Sequence, residues 1–169
     1  MVGAINDCIS SELSKQPTGN MQSMMKITMY DKEYEDVRTT WNKRNQHLQY
    51  PDIITFPESP QQVSLIVQCA KRTGHHVCGR NGKHSFEGDT CTHGVVVDVA
   101  KLSSVEVLGH DSVRFGSGLH LGRVSVELEK YGLVLPMGHC ATVGLTGKPS
   151  LCQLSQSFCS QIFTCRHLI

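Results

Sequence analysis

Cys78-Gly79-Arg80-Asn81-Gly82-Lys83-His84-Ser85-Phe86-Glu87-Gly88 follows directly on a short apolar run and sets three glycines beside two cations and a histidine. Glycine adopts positive φ without a Cβ penalty, so Gly79, Gly82 and Gly88 permit a concave row of N–H groups of the kind that grips an anion such as a pyrophosphate. Arg80 and Lys83 add positive charge. Beyond Cys78, which belongs to the preceding extended piece, His84 is the side chain of the loop that can act as a nucleophile near neutral pH, or bond permanently to whatever the loop holds. A surface turn carrying an ordinary solvated histidine accounts for the same residues, and on this stretch alone both readings stand.

The flanking pattern places the loop in an α/β framework. Ile53-Ile54-Thr55-Phe56 predicts a strand closed by Pro57, and Ser59-Pro60 supplies a helix N-cap with proline at the first helical position. Val63, Ile66, Val67 and Ala70 fall at i, i+3, i+4 and i+7, with Lys71 and Arg72 in the last turn and Gly74 at C′. His76-Val77-Cys78 is the next extended piece. Residues 53–78 therefore read as a βαβ unit with parallel strands, and the glycine loop leaves the carboxyl end of the second, where open α/β sheets bind ligands. Downstream, Val95-Val96-Val97-Asp98-Val99 predicts a central strand, with Asp98 as a strand-end residue. Residues 105–108 and 113–115 flank Gly109-His110-Asp111-Ser112 as a hairpin. Gly116-Ser117-Gly118 is a second glycine turn, followed by Leu121, Val124, Leu128 and Tyr131 at helical spacing with Gly132 as the stop. Leu133-Val134-Leu135-Pro136 leads into a third glycine-rich stretch, residues 138–147. Three such loops, each after a strand, with a histidine in the first and a cysteine in the last, suggest one extended anionic ligand; each alone is a weak signal.

The N-terminal residues 1–28 hold Cys8, Pro17 and several methionines without sustained periodicity and read as a loosely ordered arm. Tyr30, Tyr34, Val37 and Trp41 fall at helical spacing, with Asp31, Glu33 and Glu35 in the first turns, so a short amphipathic helix is expected there. At 169 residues and 39% hydrophobic content the chain suits one domain with a real core. A formal charge of +1, from 16 basic and 15 acidic residues spread along the chain, provides no basic stripe for a nucleic-acid backbone. No apolar run approaches the roughly 20 residues that cross a bilayer, and the first residues lack the layout of a signal peptide. Eight cysteines suit an oxidising compartment, in tension with the missing signal. None of the Cys and His groupings, such as His75/His76/Cys78 or Cys91/His93, has structural-zinc spacing, so no metal site is expected.

From residue 30 to 147 the chain resembles the flavin-linked oxidases of the berberine-bridge-enzyme type, within the larger p-cresol methylhydroxylase (PCMH) and vanillyl-alcohol oxidase superfamily. The resemblance is carried by Trp41-Asn42-Lys43-Arg44, Pro51-Asp52-Ile53-Ile54-Thr55-Phe56-Pro57, Arg80-Asn81-Gly82-Lys83-His84-Ser85-Phe86-Glu87-Gly88, Val95-Val96-Val97-Asp98-Val99 and Gly138-His139-Cys140-Ala141-Thr142-Val143-Gly144. It implies an α+β, PCMH-type FAD-binding fold: a βαβ subdomain with a small parallel sheet, then an incomplete second α+β subdomain. It implies FAD, held by Arg80, Asn81, Gly82, Lys83, His84 and Ser85 from the first loop and by Gly138, Cys140, Thr142, Val143 and Gly144 from the last. It further implies covalent attachment of His84 to the flavin 8-methyl carbon and of Cys140 to the 6-position, and a disulfide between Cys8 and Cys69. A small-molecule alcohol, sugar or alkaloid-like substrate, oxygen as acceptor, and a secretory or extracellular setting belong to the same implication.

Two residues depart from the family pattern: Lys83 stands at a usual glycine, where it crowds a phosphate or offers it a counter-charge, and Ala141 stands at a usual proline. No catalytic acid or base is assigned in this chain. Residues 148–169 do not resemble the family. Gly147-Lys148 can be encoded GGT-AAG, which contains the usual start of an intron, so a truncated, inactive FAD portion with a read-through tail is the expectation. The alternative from another class is a non-catalytic, cysteine-rich module that binds a smaller anion or responds to redox state.

Overall fold

The computed structural model describes residues 2–17, 22–87, 91–109, 112–135, 137–146, 160–164 and 166–167. Gly88, His110, Asp111, Gly147 and Lys148 lie outside the described residues. The chain divides into two compact units, residues 1–101 and 102–169, and the fold is mixed α+β.

The first unit is built on a four-stranded sheet. Helix α1 (Val2–Ser14) precedes β1 (Met25–Thr28); α2 (Tyr34–Arg38) precedes β2 (Ile53–Phe56); α3 (Pro60–Thr73) then leads to β3 (Val77–Arg80) and β4 (Val95–Asp98). The strand order is β1-β2-β4-β3. β4 is parallel to both neighbours, whereas β1 is antiparallel to β2. The expected βαβ unit is present, with β4 inserted between its two strands. All four β4 residues are buried, as a strand covered on both faces must be.

Helix α3 begins where Ser59 accepts a hydrogen bond from the Gln62 N–H, carries Pro60 in its first turn, and ends on Gly74 at φ 72°. It buries Leu65, Ile66, Cys69 and Ala70. The opposite face of the sheet packs Ile54 and Val96 with Ile27, Tyr34 and Cys91, against Val37 and Cys78.

The N-terminal segment corrects the expectation of an arm. α1 forms because Ile5, Ile9 and Leu13, spaced four apart, are buried on one face. Cys8 is bonded to Cys69 of α3, with Cα atoms 5.8 Å apart, and Glu12 pairs with Arg72 at 3.1 Å. The expected helix from Tyr30 to Trp41 shrinks to the five residues of α2. Tyr30 and Trp41 are exposed: at one end Asp31 accepts the N–H and hydroxyl of Thr28 and forms a turn, and at the other the backbone leaves the helix at Thr39, with ψ 137°.

In the second unit, β5 (Val105–Val107) and β6 (Ser112–Gly116) form an antiparallel hairpin, followed by α4 (Leu121–Glu129), β7 (Leu133–Val134), β8 (Ser160–Thr164) and β9 (Arg166–His167). Phe115, Leu119, Leu121, Val124, Leu128, Leu133 and Leu145 form its core. β8 pairs with the other edge of β6, and β9 with β7. The segment read as unlike the family thus supplies strands that satisfy an otherwise open ladder.

The Cys8–Cys69 bond closes a loop with a sequence separation of 61. Replacing both cysteines by serine is expected to lower unfolding free energy by about 2–4 kcal/mol, measured by urea denaturation without reductant. A double variant as stable as the parent would show that α1 is held by Ile5, Ile9 and Leu13 alone.

Candidate functional site

The His84 loop leaves β3 at Arg80, whose register partner on β4 is Asp98. Nε and Nη2 of Arg80 each lie 2.8 Å from Asp98 Oδ2, and both side chains are almost wholly buried. Arg80 Nη1 also donates to the Val37 carbonyl at 3.1 Å. Burial pulls the guanidinium pKa below its ordinary value, and the Asp98 carboxylate opposes that shift. The positive charge expected to face an anion is therefore spent on strand ends. Asp98, read as a strand-end residue, is the partner that makes this possible.

Beyond Arg80 the backbone turns through Gly82 at φ 64° and Lys83 at φ 60°. Lys83 stands in the left-handed region, which explains why glycine suits this place and what the departure costs, about 1–2 kcal/mol. Its N–H donates to the Asn81 carbonyl at 2.7 Å. Its ammonium donates to the Val37 carbonyl at 3.1 Å, and burial, then the nearby Arg80 charge, holds its pKa below the usual lysine value. Lys83 thus neither crowds the outer side of the turn nor aims its charge there. Gly79 lies within β3 without positive φ, so Gly82 is the described loop glycine that uses that freedom. His84 and Ser85 follow, both half-buried, and the His84 ring is stacked on Trp41.

The loop is also closed at its base. Cys78 on β3 is bonded to Cys91, with Cα atoms 5.9 Å apart. Neither spacing nor resemblance indicated this pair, although Cys78 and Cys91 bracket the glycine stretch in sequence and two such residues flanking a turn are the available signal.

In the second unit the later loop is held by the start of α4. The N–H of Leu121 donates to the Val143 carbonyl and that of Gly122 to the Ala141 carbonyl, each at 2.9 Å. Leu145 N–H donates to the Leu119 carbonyl at 2.8 Å, and His120 bridges Gly144. The first helical N–H groups, which a helix cannot satisfy internally, thus fasten the loop. Cys140 is a free, exposed cysteine, its Sγ 3.7 Å from Thr142 Oγ1; Thr142 is also exposed, Val143 half-buried and Gly144 buried. Gly138 is half-buried, and His139 is exposed beside it. The middle glycine turn has a packing role: a Cβ on Gly116 would stand 2.1 Å from the Leu102 carbonyl oxygen. Among the described residues no cluster could hold a metal ion, and no helix is long and apolar enough to cross a membrane.

Comparison with known proteins gives the same fold. The family model for an FAD binding domain matches residues 51–157, past the Gly147 at which the motif resemblance stops. Berberine bridge enzyme-like 18 of Arabidopsis thaliana is 32% identical over 151 residues, covering 83% of this chain and 28% of its own length. Physcomitrella patens BBE-like 1 superposes with a TM-score of 0.71 at 25% identity, over 83% of this chain and 29% of that one. Glucooligosaccharide oxidase from Acremonium strictum, which carries a 6-S-cysteinyl, 8α-N1-histidyl FAD, has a TM-score of 0.71 at 20% identity, over 85% of this chain and 29% of its own. The chain thus spans under a third of the length of these proteins.

Two variants probe the two loops. Asp98→Ala strands a buried guanidinium and is expected to cost about 3–5 kcal/mol, read from urea unfolding; a loss under about 1 kcal/mol, the range of exposed pairs, would mean water reaches Arg80. A Cβ on Gly122 would stand 2.8 Å from Ala141 Cβ. Gly122→Val should therefore cost about 1–3 kcal/mol and change the rate at which a disulfide reagent titrates Cys140; an unchanged rate would show that α4 does not set that turn.

Proposed function

The chain belongs to the FAD-binding-domain family of flavin-linked oxidoreductases, and from that membership we propose that it forms the FAD-holding part of an oxidase whose flavin is bonded to both His84 and Cys140. The single observation that carries this reading is the pair of side chains offered: an imidazole raised on a left-handed turn after a parallel strand, and a free exposed thiol on a turn fastened to a helix start. Both are nucleophiles suited to an electron-poor ring. The double attachment in glucooligosaccharide oxidase is of this His and Cys type.

Asn81, Gly82, Lys83, His84 and Ser85 would cradle the pyrophosphate through the backbone, since the Arg80 and Lys83 side chains are engaged elsewhere. Gly138, Cys140, Thr142, Val143 and Gly144 would line the ring. At each site the imidazole N–H or thiol S–H would give up its proton as the nitrogen or sulfur bonds to a ring carbon that loses one proton, and dioxygen would take the two electrons released, as hydrogen peroxide. When bound, the flavin supplies hydride acceptance from a substrate carbon. Among alcohol, sugar and alkaloid-like substrates we favour a sugar or other small alcohol, because glucooligosaccharide oxidase and chitooligosaccharide oxidase share this fold. No residue of this chain is assigned to proton abstraction from substrate. The FAD portion proposed here runs from residue 30 to at least 147. Two disulfides, Cys8–Cys69 and Cys78–Cys91, favour an oxidising compartment such as the secretory pathway.

The test is retention of colour. Protein expressed with ample FAD, precipitated in acid and washed should stay yellow and gain the mass of FAD. His84→Ala and Cys140→Ala should each retain a single, spectrally different attachment, and the double variant should lose all colour. A colourless parent would overturn this reading in favour of the cysteine-rich anion-binding module.

A further inference from the structure

The residues between α2 and β2 grip the His84 loop along its carbonyl side. Trp41 N–H donates to the Lys83 carbonyl at 3.1 Å. Asn42 Nδ2 donates to the Phe86 carbonyl at 2.6 Å, and Asn45 Nδ2 to the Glu87 carbonyl at 2.8 Å. Asn42 is itself fixed, because its Oδ1 accepts the Arg44 N–H at 2.9 Å. The Trp41 ring lies over the His84 imidazole with centroids 5.2 Å apart and planes 23° from parallel. Trp41 is 75% exposed, so burial of its own surface is not what holds the indole there.

These contacts have a directional consequence. Among the described residues no peptide bond is cis, and in a planar trans peptide the N–H points opposite the carbonyl. Engaging the Lys83 and Phe86 carbonyls therefore directs the His84 and Glu87 N–H groups away from residues 41–45. The loop is gripped on one side and presents its amides on the other. The stack on Trp41 sets the plane of the imidazole, and with it the direction of the nitrogen lone pair.

We propose that Trp41, Asn42 and Asn45 are positioning residues for His84, which hold its ring nitrogen in the geometry needed for bond formation to the flavin. This rests on His84 being an attachment point. Bond formation requires reacting atoms held about 3–3.5 Å apart in alignment, and a misplacement of about 1 Å costs on the order of 100-fold in rate. An exposed loop tethered only at its ends would not meet that demand.

The experiment follows the rate at which acid-stable FAD accumulates when apo chain is incubated with saturating FAD, alongside melting temperature and the emission of Trp41, the chain's single tryptophan. The variants are Asn42→Ala with Asn45→Ala, each asparagine singly, Trp41→Ala and Trp41→Phe. Cys140→Ala serves as background, so that only attachment at His84 is counted. The double asparagine variant and Trp41→Ala are expected to attach FAD at least about 10-fold more slowly, part of the misplacement penalty, with Trp41→Phe close to the parent rate because a ring is restored. Trp41 emission should change alike in His84→Gln and in the asparagine variants, as the stacked partner is removed or released. Parental rates in the asparagine and Trp41→Ala variants would overturn the inference while leaving the attachment reading intact. So would a Trp41→Phe chain as slow as Trp41→Ala. If the double variant melts far below the parent, the single asparagine variants and Trp41→Phe decide. A Cys140→Ala parent that never becomes acid-stably coloured removes the attachment at His84, and this inference falls with it.

Discussion

Arg80 and Asp98 oppose each other at the carboxyl ends of β3 and β4, and desolvating either charge alone costs several kcal/mol. The cost is offset only while the two strands stay in register and the Val37 carbonyl stays against the guanidinium. One ion pair thus ties together three things that the sequence holds far apart: the strand from which the loop departs, the central strand, and helix α2, to which Val37 belongs. Lys83 adds a second donor to the same carbonyl from inside the loop. Because both cations turn inward, the proposed grip on an anion would fall to the backbone N–H groups of the loop rather than to the Arg80 and Lys83 side chains. That suits a diphosphate, whose oxygens accept several amide donors at once.

Much of this framework was legible in the residues. The β2–α3–β3 unit follows from the Ile53-Ile54-Thr55-Phe56 run, the Ser59-Pro60 start and the Gly74 stop, all local signals. α4 and the β5–β6 hairpin follow from periodicity and turn residues in the same way. The family was legible from its glycine motifs. α1 was missed because its apolar residues show only when Ile5, Ile9 and Leu13 are read at a strict spacing of four, and because its stability is tertiary, supplied by α3 and the Cys8–Cys69 bond. The extent of α2 was overread, since Trp41 completes a helical spacing on paper and in fact stands outside the helix beside His84.

What the residues could not disclose was the direction of side chains. Arg80 and Lys83 look like phosphate ligands in a glycine loop, and only the opposing Asp98 and the Val37 carbonyl show where their charge goes. The Cys78–Cys91 bond was hidden for a related reason. Pairing depends on how the chain folds back between the two cysteines, and eight cysteines allow many connectivities. In the second unit the equivalent constraint is steric. Gly122 lets the Cys140 turn come within contact of the α4 start, and Gly116 lets the backbone pass under the Leu102 carbonyl. Gly116, which in sequence belongs to a turn that looks fit for an anion, serves here as a place where two backbones touch.

The Cys78–Cys91 bond has one more consequence, for how the loop withstands damage. A protease that nicks the chain anywhere between those two cysteines leaves both new ends covalently tethered. The cut halves cannot diffuse apart, and the strand ends remain paired through Arg80 and Asp98 if the cut falls after Arg80. Such a nick would pass unseen on a non-reducing gel and separate into two fragments under reduction, so the His84 loop can be severed without the molecule coming apart.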